Sequence, residues 1–201
     1  MINTIILDIG NVLARFGWKE YLLESRYSEE QVQRISMATV YSEAWKEWDR
    51  GSMTTKEMSD ICCRYDTGME KEIRQFFNDV YSIVQEFDYS QQFVKRLKEN
   101  GYKVYLLSNF NGGHYRYCQD HFTFMKYVDG GVISYEVNHV KPEPQIYKML
   151  LDKYQINPAQ AVFLDDMLEN LETARQFGLH NIHVESYEQA IIQLRELGIN
   201  I

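Results

Sequence analysis

The chain has 201 residues, enough for one domain or for a core with one insertion, and 45% of its residues are hydrophobic, which excludes a disordered protein. Its formal net charge of −8 argues against general binding to nucleic acids or to anionic membranes, although a local site for an anionic ligand stays open. No stretch reaches the roughly 18 apolar residues of a membrane span, and no signal-peptide pattern precedes the first strand, so we expect a cytoplasmic protein.

The first predicted element is a strand at the start of the sequence ILDIGNVL, residues 6–13. A short continuous apolar run suits a strand that is covered on both faces of a parallel sheet, and such sheets bind ligands at the carboxyl ends of their strands. Asp8 stands at that end. It is therefore a candidate nucleophile or metal ligand, and the alternative is that it only caps the following turn.

A helical segment is predicted from about residue 15 to residue 87. No strand-like run occurs there, and apolar residues recur at helical spacing. A helix end at Gly51 and a new N-cap near Thr54 imply at least two antiparallel helices, whose aromatic side chains favour packing over a binding site. The residues with this spacing are Tyr41, Trp45, Trp48, Ile73, Phe76, Phe77, Val80 and Val84.

Helices and strands alternate after Ser90. This alternation predicts a parallel sheet and an α/β fold of the Rossmann-like, doubly wound type. The predicted elements are a helix that ends at Gly101, a strand over residues 103–107, a helix after Pro144, a strand over 161–164, a helix over 168–177, a strand over 181–184 and a final helix over 187–197.

Two more acidic residues, Asp165 and Asp166, directly follow the predicted strand over residues 161–164, as Asp8 follows the first strand. Like charges at neighbouring strand ends repel each other unless a cation lies between them, and a hard divalent ion with oxygen ligands removes that repulsion. Because the chain has no cluster of Cys and His at zinc-ligand spacing, we predict magnesium as the cofactor.

Two further segments carry polar groups to the same edge. Ser108 and Asn109 follow a strand, where they could hold phosphate oxygens, although this pair is also ordinary turn chemistry. Lys141 precedes a proline-bounded helix start and could point its ammonium group at the edge, whereas a single lysine is usually a solvated charge. Together with Asp8 and the downstream acids, these residues form an ordered series that is more specific than any member.

This order of motifs resembles that of the haloacid dehalogenase-like (HAD) hydrolases, and the resemblance covers essentially the whole chain. It implies a HAD core made of residues 1–14 and 88–201, with a helical cap domain inserted as residues 15–87. The segments VKPEPQIYKMLL and VFLDDMLENL are similar to the phosphatase domain of soluble epoxide hydrolases, and the segments DIGNVL and LSN are similar to bacterial phosphatases that act on α-glucose 1-phosphate.

The resemblance implies a magnesium-dependent phosphatase of a small phosphorylated metabolite, a sugar phosphate, in which a carboxylate attacks phosphorus and water hydrolyses the aspartyl phosphate. By the same resemblance, Asp8 is the nucleophile and a metal ligand, and Asp166 and the carbonyl of Gly10 are direct metal ligands. Asp165 binds the metal through a water molecule or supports the direct ligands from behind. The implied phosphoryl-binding groups are Ser108, Asn109 and Lys141, and Asn170 is a supporting residue.

The chain departs from the family at Gly10. Most phosphatases of this family carry a second aspartate there, two residues after the nucleophile, to protonate the leaving oxygen. General acid catalysis contributes about 10²- to 10⁴-fold, so poor leaving groups should suffer most and an anomeric phosphate least. An acid from the helical segment could substitute, and Glu43, Glu47 and Asp49 are unranked candidates. Arg15 is a candidate substrate ligand, with a solvated arginine as the alternative.

Two other functions remain open. A 2-haloacid dehalogenase would use the same aspartate to attack carbon without a metal, and Asp165 and Asp166 argue against that chemistry. A protein that binds a phosphorylated metabolite, with little turnover, would have kept the site and lost the acid. The oligomeric state is left open.

Overall fold

A five-stranded parallel sheet forms the centre of the molecule. The computed structural model describes residues 1–201. The order across the sheet is β5-β4-β1-β6-β7, and a separate antiparallel pair joins β2 to β3. The predicted α/β fold is confirmed. The strands are β1 (Thr4–Leu7), β2 (Ala14–Phe16), β3 (Val84–Glu86), β4 (Lys103–Ser108), β5 (Gly130–Ile133), β6 (Ala161–Asp165) and β7 (His180–His183).

Successive residues of the central strands alternate between two apolar clusters, because side chains along a strand point to opposite faces. In β1, Ile5 and Leu7 belong to one cluster and Ile6 to the other. Both faces are therefore buried, which explains why these strands read as continuous apolar runs. β1 pairs with β4 on one side and β6 on the other, with Leu7 opposite Leu106 and Leu164, so the carboxyl ends of the three strands lie at one edge.

Helices cover both faces of the sheet. α6, α7 and α11 contribute buried side chains to the cluster of Ile5, and α9 and α10 contribute to the cluster of Ile6. This is the doubly wound arrangement that the sequence predicts. The helices of this part of the chain are α6 (Ser90–Glu99), α7 (Gly112–His121), α8 (Ser134–Val137), α9 (Pro144–Tyr154), α10 (Leu168–Gln176) and α11 (Tyr187–Glu196).

The segment between β2 and β3 consists of helices around an apolar cluster of their own, with 15 buried residues. Two of these helices begin with complete capping boxes, at Ser28 and at Thr54, the second at the predicted N-cap. The separate cluster supports a helical cap, while the domain boundaries at residues 15 and 87 stay predictions. These helices are α1 (Trp18–Glu24), α2 (Glu29–Ala38), α3 (Glu43–Asp49), α4 (Thr55–Tyr65) and α5 (Glu70–Asp79).

Three short strands depart from the sequence prediction. The prediction of no strand in residues 15–87 is wrong at both ends of that range, where β2 and β3 pair over three residues each, too few for a periodic signal. β5 was not predicted, because its sequence begins with two glycines. Gly131 is required there, since a Cβ would lie 2.7 Å from the carbonyl oxygen of Leu106.

Other predicted boundaries shift by one residue: β4 includes Ser108, and β7 begins at His180. None of the helices combines the length and the apolar character that a membrane crossing needs.

Candidate active site

A cavity of about 490 Å³ lies at the carboxyl edge of β1, β4 and β6, beneath the helical segment. Its floor contains Asp8, Lys141 and Asp166, and its walls include Trp45 and Asp49 from α3. The position agrees with the rule that open α/β sheets bind ligands outside the carboxyl ends of their strands.

Asp8 directly follows β1 and is only 7% exposed. Its Oδ1 accepts hydrogen bonds from the backbone N–H of Ile9 at 2.7 Å and from the hydroxyl of Ser108 at 2.6 Å, and it lies 3.0 Å from the ammonium nitrogen of Lys141. Its Oδ2 accepts no hydrogen bond from the protein. Burial is the main cause that raises the pKa of Asp8 to about 6; the positive charge of Lys141 opposes the shift, and the negative charge of Asp165 adds to it.

Lys141 is a buried cation, 3% exposed, that bridges two carboxylates. Its Nζ lies 3.0 Å from Asp8 Oδ1 and 2.6 Å from Asp165 Oδ2. Burial alone would lower the pKa of Lys141, but the charges of Asp165 and Asp8 outweigh it and raise that pKa above its ordinary value. The amine is therefore charged at neutral pH. It is not the solvated lysine that the sequence left as an alternative.

Asn109 fixes the backbone of Lys141. Its Nδ2 donates to the carbonyl oxygen of Lys141 at 2.9 Å, and its Oδ1 accepts from the N–H of Lys141 at 2.7 Å. Both ends of the Asn109 side chain are thus engaged with Lys141, and Asn109 also lines the cavity, so its role as a phosphoryl-binding group stays a prediction. The hydroxyl of Ser108 is likewise engaged with Asp8.

Asp165 and Asp166 differ in how their oxygens are used. Oδ1 of Asp165 accepts from the N–H of Met167 at 2.8 Å and from Asn170 Nδ2 at 2.9 Å, and its Oδ2 faces Lys141. Asp166 uses only Oδ2, which accepts from Asn11 Nδ2 at 2.9 Å. One oxygen of Asp166 therefore remains without a hydrogen bond, while both oxygens of Asp165 are engaged.

The carboxylates of Asp8, Asp165 and Asp166 fit a divalent cation. Each offers an oxygen within 4.8 Å of the others, and the one cation among them, Lys141, pairs with Asp8 and Asp165 only. Two carboxylates with unengaged oxygens and an excess of negative charge form the donor set that Mg²⁺ prefers. Gly10 lines the same cavity, and the role of its carbonyl as a ligand stays a prediction.

The structure separates the remaining sequence candidates. Asp49 lines the cavity, whereas Glu43 and Glu47 do not, and Glu47 pairs with Arg50. Arg15 is also outside the lining: its guanidinium donates to Gln85 Oε1 at 2.7 Å, within the β2 and β3 pair.

Some site residues were missed by the sequence reasoning. Asn11, with φ of +53°, holds Asp166, and the Gly-Asn pair was a signal for such a backbone. Trp45 and Phe16 line the cavity with rings 5.5 Å apart, so the interpretation of the aromatic residues as packing alone is incomplete. His114 also lines it, and burial lowers the pKa of His114 to about 4.

A family model for haloacid dehalogenase-like hydrolases matches residues 2–178. The chain belongs to this family. The predictions of a HAD-like hydrolase and of an enzyme are therefore confirmed.

Known proteins similar to this chain include phosphatases that align over nearly its whole length. A sesquiterpene phosphatase of Aspergillus oryzae is 23% identical over 198 residues, which cover 96% of this chain and 94% of the relative. A D-ribitol-5-phosphate phosphatase of Bacteroides thetaiotaomicron is 25% identical over 201 residues, which cover 92% and 93% of the two chains.

Solved HAD structures share the fold. A HAD-family enzyme of Bacteroides thetaiotaomicron, in complex with magnesium and inorganic phosphate, matches with a TM-score of 0.68 and 23% identity over 94% of this chain and 99% of that one. Its magnesium complex matches with a TM-score of 0.69 and 25% identity over 94% and 98% of the two chains. The predicted magnesium cofactor agrees with these complexes and with the three carboxylates.

Proposed function

We propose that this protein is a magnesium-dependent phosphatase that hydrolyses a small phosphorylated metabolite, with sugar phosphates as the substrate class. The observation that carries the proposal is the buried ammonium group of Lys141 between Asp8 and Asp165. An anionic nucleophile must approach an anionic phosphoryl group, and a fixed cation beside the nucleophile lowers that repulsion.

Asp8 is the nucleophile in this mechanism. Its carboxylate forms a bond to phosphorus as the bond between phosphorus and the leaving oxygen breaks, and water then cleaves the aspartyl phosphate and restores the carboxylate. Ser108 and Lys141 both contact Oδ1 of Asp8, which fixes the orientation of the carboxylate before the substrate binds. Asn109 acts through Lys141 by holding its backbone in place.

The metal would be held by Asp8 and Asp166 through their oxygens that accept no hydrogen bond, and by Gly10 through its carbonyl. Asp165 would support it indirectly, since Lys141, Asn170 and a backbone N–H engage both of its oxygens. When bound, Mg²⁺ neutralises charge on the phosphoryl group and helps to align it with the nucleophile.

The cavity suits a substrate of the size of a sugar phosphate. A volume of about 490 Å³ is within the usual range for small-molecule sites. Trp45 and Phe16 offer aromatic surface to the apolar face of a sugar or polyol, and Ser42 and Lys46 offer polar groups nearby. The D-ribitol-5-phosphate phosphatase among the relatives supports this substrate class.

The test is phosphate release with Mg²⁺ from p-nitrophenyl phosphate, hexose 1-phosphates, hexose 6-phosphates, pentitol 5-phosphates, an isoprenyl monophosphate and nucleotides. Asp8→Asn should lower turnover by about 10⁴-fold or more, because an amide is not a nucleophile. The control is Asp120→Asn, which changes an exposed residue of α7 and should keep full activity.

Three other outcomes would contradict the proposal. Halide release from 2-chloropropionate without metal would identify a dehalogenase. Binding of Mg²⁺ and phosphate with no turnover of any phosphate ester would favour a binding protein. Full activity of Asp8→Asn would exclude the assigned nucleophile.

A further inference from the structure

The proposed phosphatase needs a proton for the leaving oxygen, and Gly10 cannot provide it. Four carboxyl groups line the cavity: those of Asp8, Asp166, Glu169 and Asp49. The first two are assigned above as nucleophile and metal ligands, and Glu169 is exposed at the start of α10. Asp49 is the remaining carboxyl group, and it belongs to the helical segment.

Asp49 is the last residue of α3 and is held by the part of the chain that carries the sheet. Its backbone oxygen accepts from the hydroxyl of Ser134 at 2.6 Å, and its Oδ1 accepts from the N–H of Asn111 at 3.2 Å. Ser134 and Asn111 are themselves buried, at 0% and 3% exposure. The position of this carboxyl group is therefore set relative to the floor that contains Asp8.

One oxygen of Asp49 is available to a ligand. Oδ1 is engaged by Asn111, whereas Oδ2 accepts no hydrogen bond of normal length and angle and is not completely buried. The side chain of Trp45, which also lines the cavity, is a further donor near this carboxyl group. Since Asp49 lines the cavity, Oδ2 can face a bound molecule. The matched acids of the same helix, Glu43 and Glu47, do not line the cavity.

The surroundings of Asp49 favour its protonated form. Burial is the main cause that raises the pKa of Asp49 to about 8; hydrogen bonds from Asn111 and Trp45 oppose the shift, and the negative charge of Asp8 adds to it. Position at the carboxyl end of a helix also disfavours an anion. Of the other ionisable groups that line the cavity, Lys141 pairs with Asp8, Lys46 and Tyr41 are exposed, and His114 is neutral at pH 7 because burial lowers its pKa to about 4.

We propose that Asp49 is the general acid of this enzyme and replaces, from the helical segment, the acid that is missing at position 10. This inference rests on the proposed phosphatase function. In the first step the carboxylate of Asp8 bonds to phosphorus, the bond to the leaving oxygen breaks, and that oxygen takes the proton of Asp49. In the second step water attacks phosphorus, the bond to Asp8 breaks, and the proton of water returns to Asp49.

The test compares leaving groups. Asp49→Asn keeps an oxygen that can accept the N–H of Asn111 but cannot donate a carboxyl proton. We expect it to lower kcat/KM for an alkyl phosphate, such as a hexose 6-phosphate, by about 10²- to 10⁴-fold. Its kcat/KM for p-nitrophenyl phosphate should fall by less than about tenfold, because that leaving group needs little protonation. Glu43→Gln, at an exposed position of the same helix and outside the cavity, is the matched control and should leave both reactions unchanged.

A second measurement uses the wild-type enzyme alone. With the alkyl phosphate, kcat/KM should fall above about pH 8 as the acid is lost, whereas with p-nitrophenyl phosphate the alkaline fall should be much smaller. A folded Asp49→Asn protein that loses both reactions equally, or neither, would overturn the assignment, and so would matching alkaline profiles for the two substrates. Absence of phosphate release from every ester by the wild type would instead contradict the proposed function itself.

Discussion

Lys141 shows how much of the site depends on one charge. A buried ammonium group loses several kcal/mol of hydration, and the pairing with Asp8 and Asp165 must offset that loss. The same pairing stabilises two carboxylates that would otherwise repel each other. Removal of the cation leaves two buried carboxylates without an opposite charge beside them, so we expect this residue to contribute to stability as well as to the proposed chemistry.

We predict that Lys141→Met lowers the free energy of unfolding by about 3–5 kcal/mol at pH 7 in EDTA and abolishes turnover. Because burial raises the pKa of Asp8 to about 6, this carboxyl group binds a proton more readily in the folded protein than in the unfolded protein. Protonation then removes a repulsive charge, and the destabilisation should be smaller at pH 5.

Urea unfolding at the two pH values tests this prediction for Lys141→Met. The control is Lys148→Met, at a lysine whose side chain is 68% exposed, and it should change stability by less than about 0.5 kcal/mol. A Lys141→Met protein as stable as the wild type at pH 7 would contradict the electrostatic role.

At the scale of elements, the end of α3 is where the helical segment contacts the part of the chain that carries the sheet. Arg50 lies 2.7 Å from Glu143, just before α9, and donates to the carbonyl oxygen of Asn138 at 3.3 Å. Gly51 follows with φ of +83°, and a Cβ there would lie 2.9 Å from the backbone oxygen of Tyr135. These contacts anchor the helix beside Asp49, so they help to set the position of Asp49 in the cavity.

The pair of Arg50 and Glu143 should show a pH-dependent contribution to stability. The hydrogen bonds that Arg50 donates to Glu143 lower the pKa of Glu143 from 4.5 to about 2. A depressed folded-state pKa stabilises the protein above the unfolded pKa, and that contribution is lost as pH falls toward 2. Glu143→Gln should therefore cost about 1–3 kcal/mol at pH 7 and clearly less at pH 3.

Thermal or urea unfolding of Glu143→Gln at both pH values provides the measurement. Glu172→Gln, at an exposed position of α10, is the control and should match the wild type throughout. An equal loss of stability at pH 3 and pH 7 would assign the effect of Glu143→Gln to packing rather than to the ion pair.

The elements show what could be predicted from the sequence. β1, β4 and β6 were predictable because burial on both faces makes each of them a continuous apolar run, and their ends delivered Asp8, Ser108 and Asp165. β2 and β3 could not be predicted, because a strand of three residues is too short to show a periodic pattern of apolar residues.

The functions of single site residues were less predictable. The spacing of α3 puts Glu43 and Glu47 on one face and Asp49 on another, but only the packed structure shows which face meets the cavity. The engagement of Asn109 with the backbone of Lys141 joins residues 32 positions apart, and it depends on side-chain orientation that no local pattern specifies.

At the scale of the whole molecule, the site concentrates negative charge in a protein that already carries a net charge of −8. Three carboxylates, those of Asp8, Asp165 and Asp166, lie together there, and a single lysine pairs with two of them, Asp8 and Asp165. Burial is the main cause that raises the pKa values of Asp8 and Asp166, so their ionised forms destabilise the folded chain at neutral pH. A bound divalent cation would reverse that effect.

We predict that Mg²⁺ raises the melting temperature at pH 7.5. A concentration 100 times the dissociation constant adds about 2.7 kcal/mol, which corresponds to roughly 5–10 °C for a chain of this size. Differential scanning calorimetry in Mg²⁺ and in EDTA measures the shift, with NaCl of equal ionic strength as the control. Asp166→Asn should abolish most of the shift, and an unchanged shift in that variant would exclude Asp166 as a ligand.

The strand pair of β2 and β3 also bears on how such an enzyme diversifies. Because Ala14 pairs with Glu86, the chain leaves the sheet-bearing part and re-enters it at neighbouring points. An insertion whose two ends meet as antiparallel strands can be exchanged there without a change in the register of the main sheet. Under the proposed function, substrate selection by the helical segment and phosphoryl chemistry at the edge of the sheet occupy separable stretches of the chain, and if the proton donor belongs to the exchangeable stretch, a new specificity must bring its own acid.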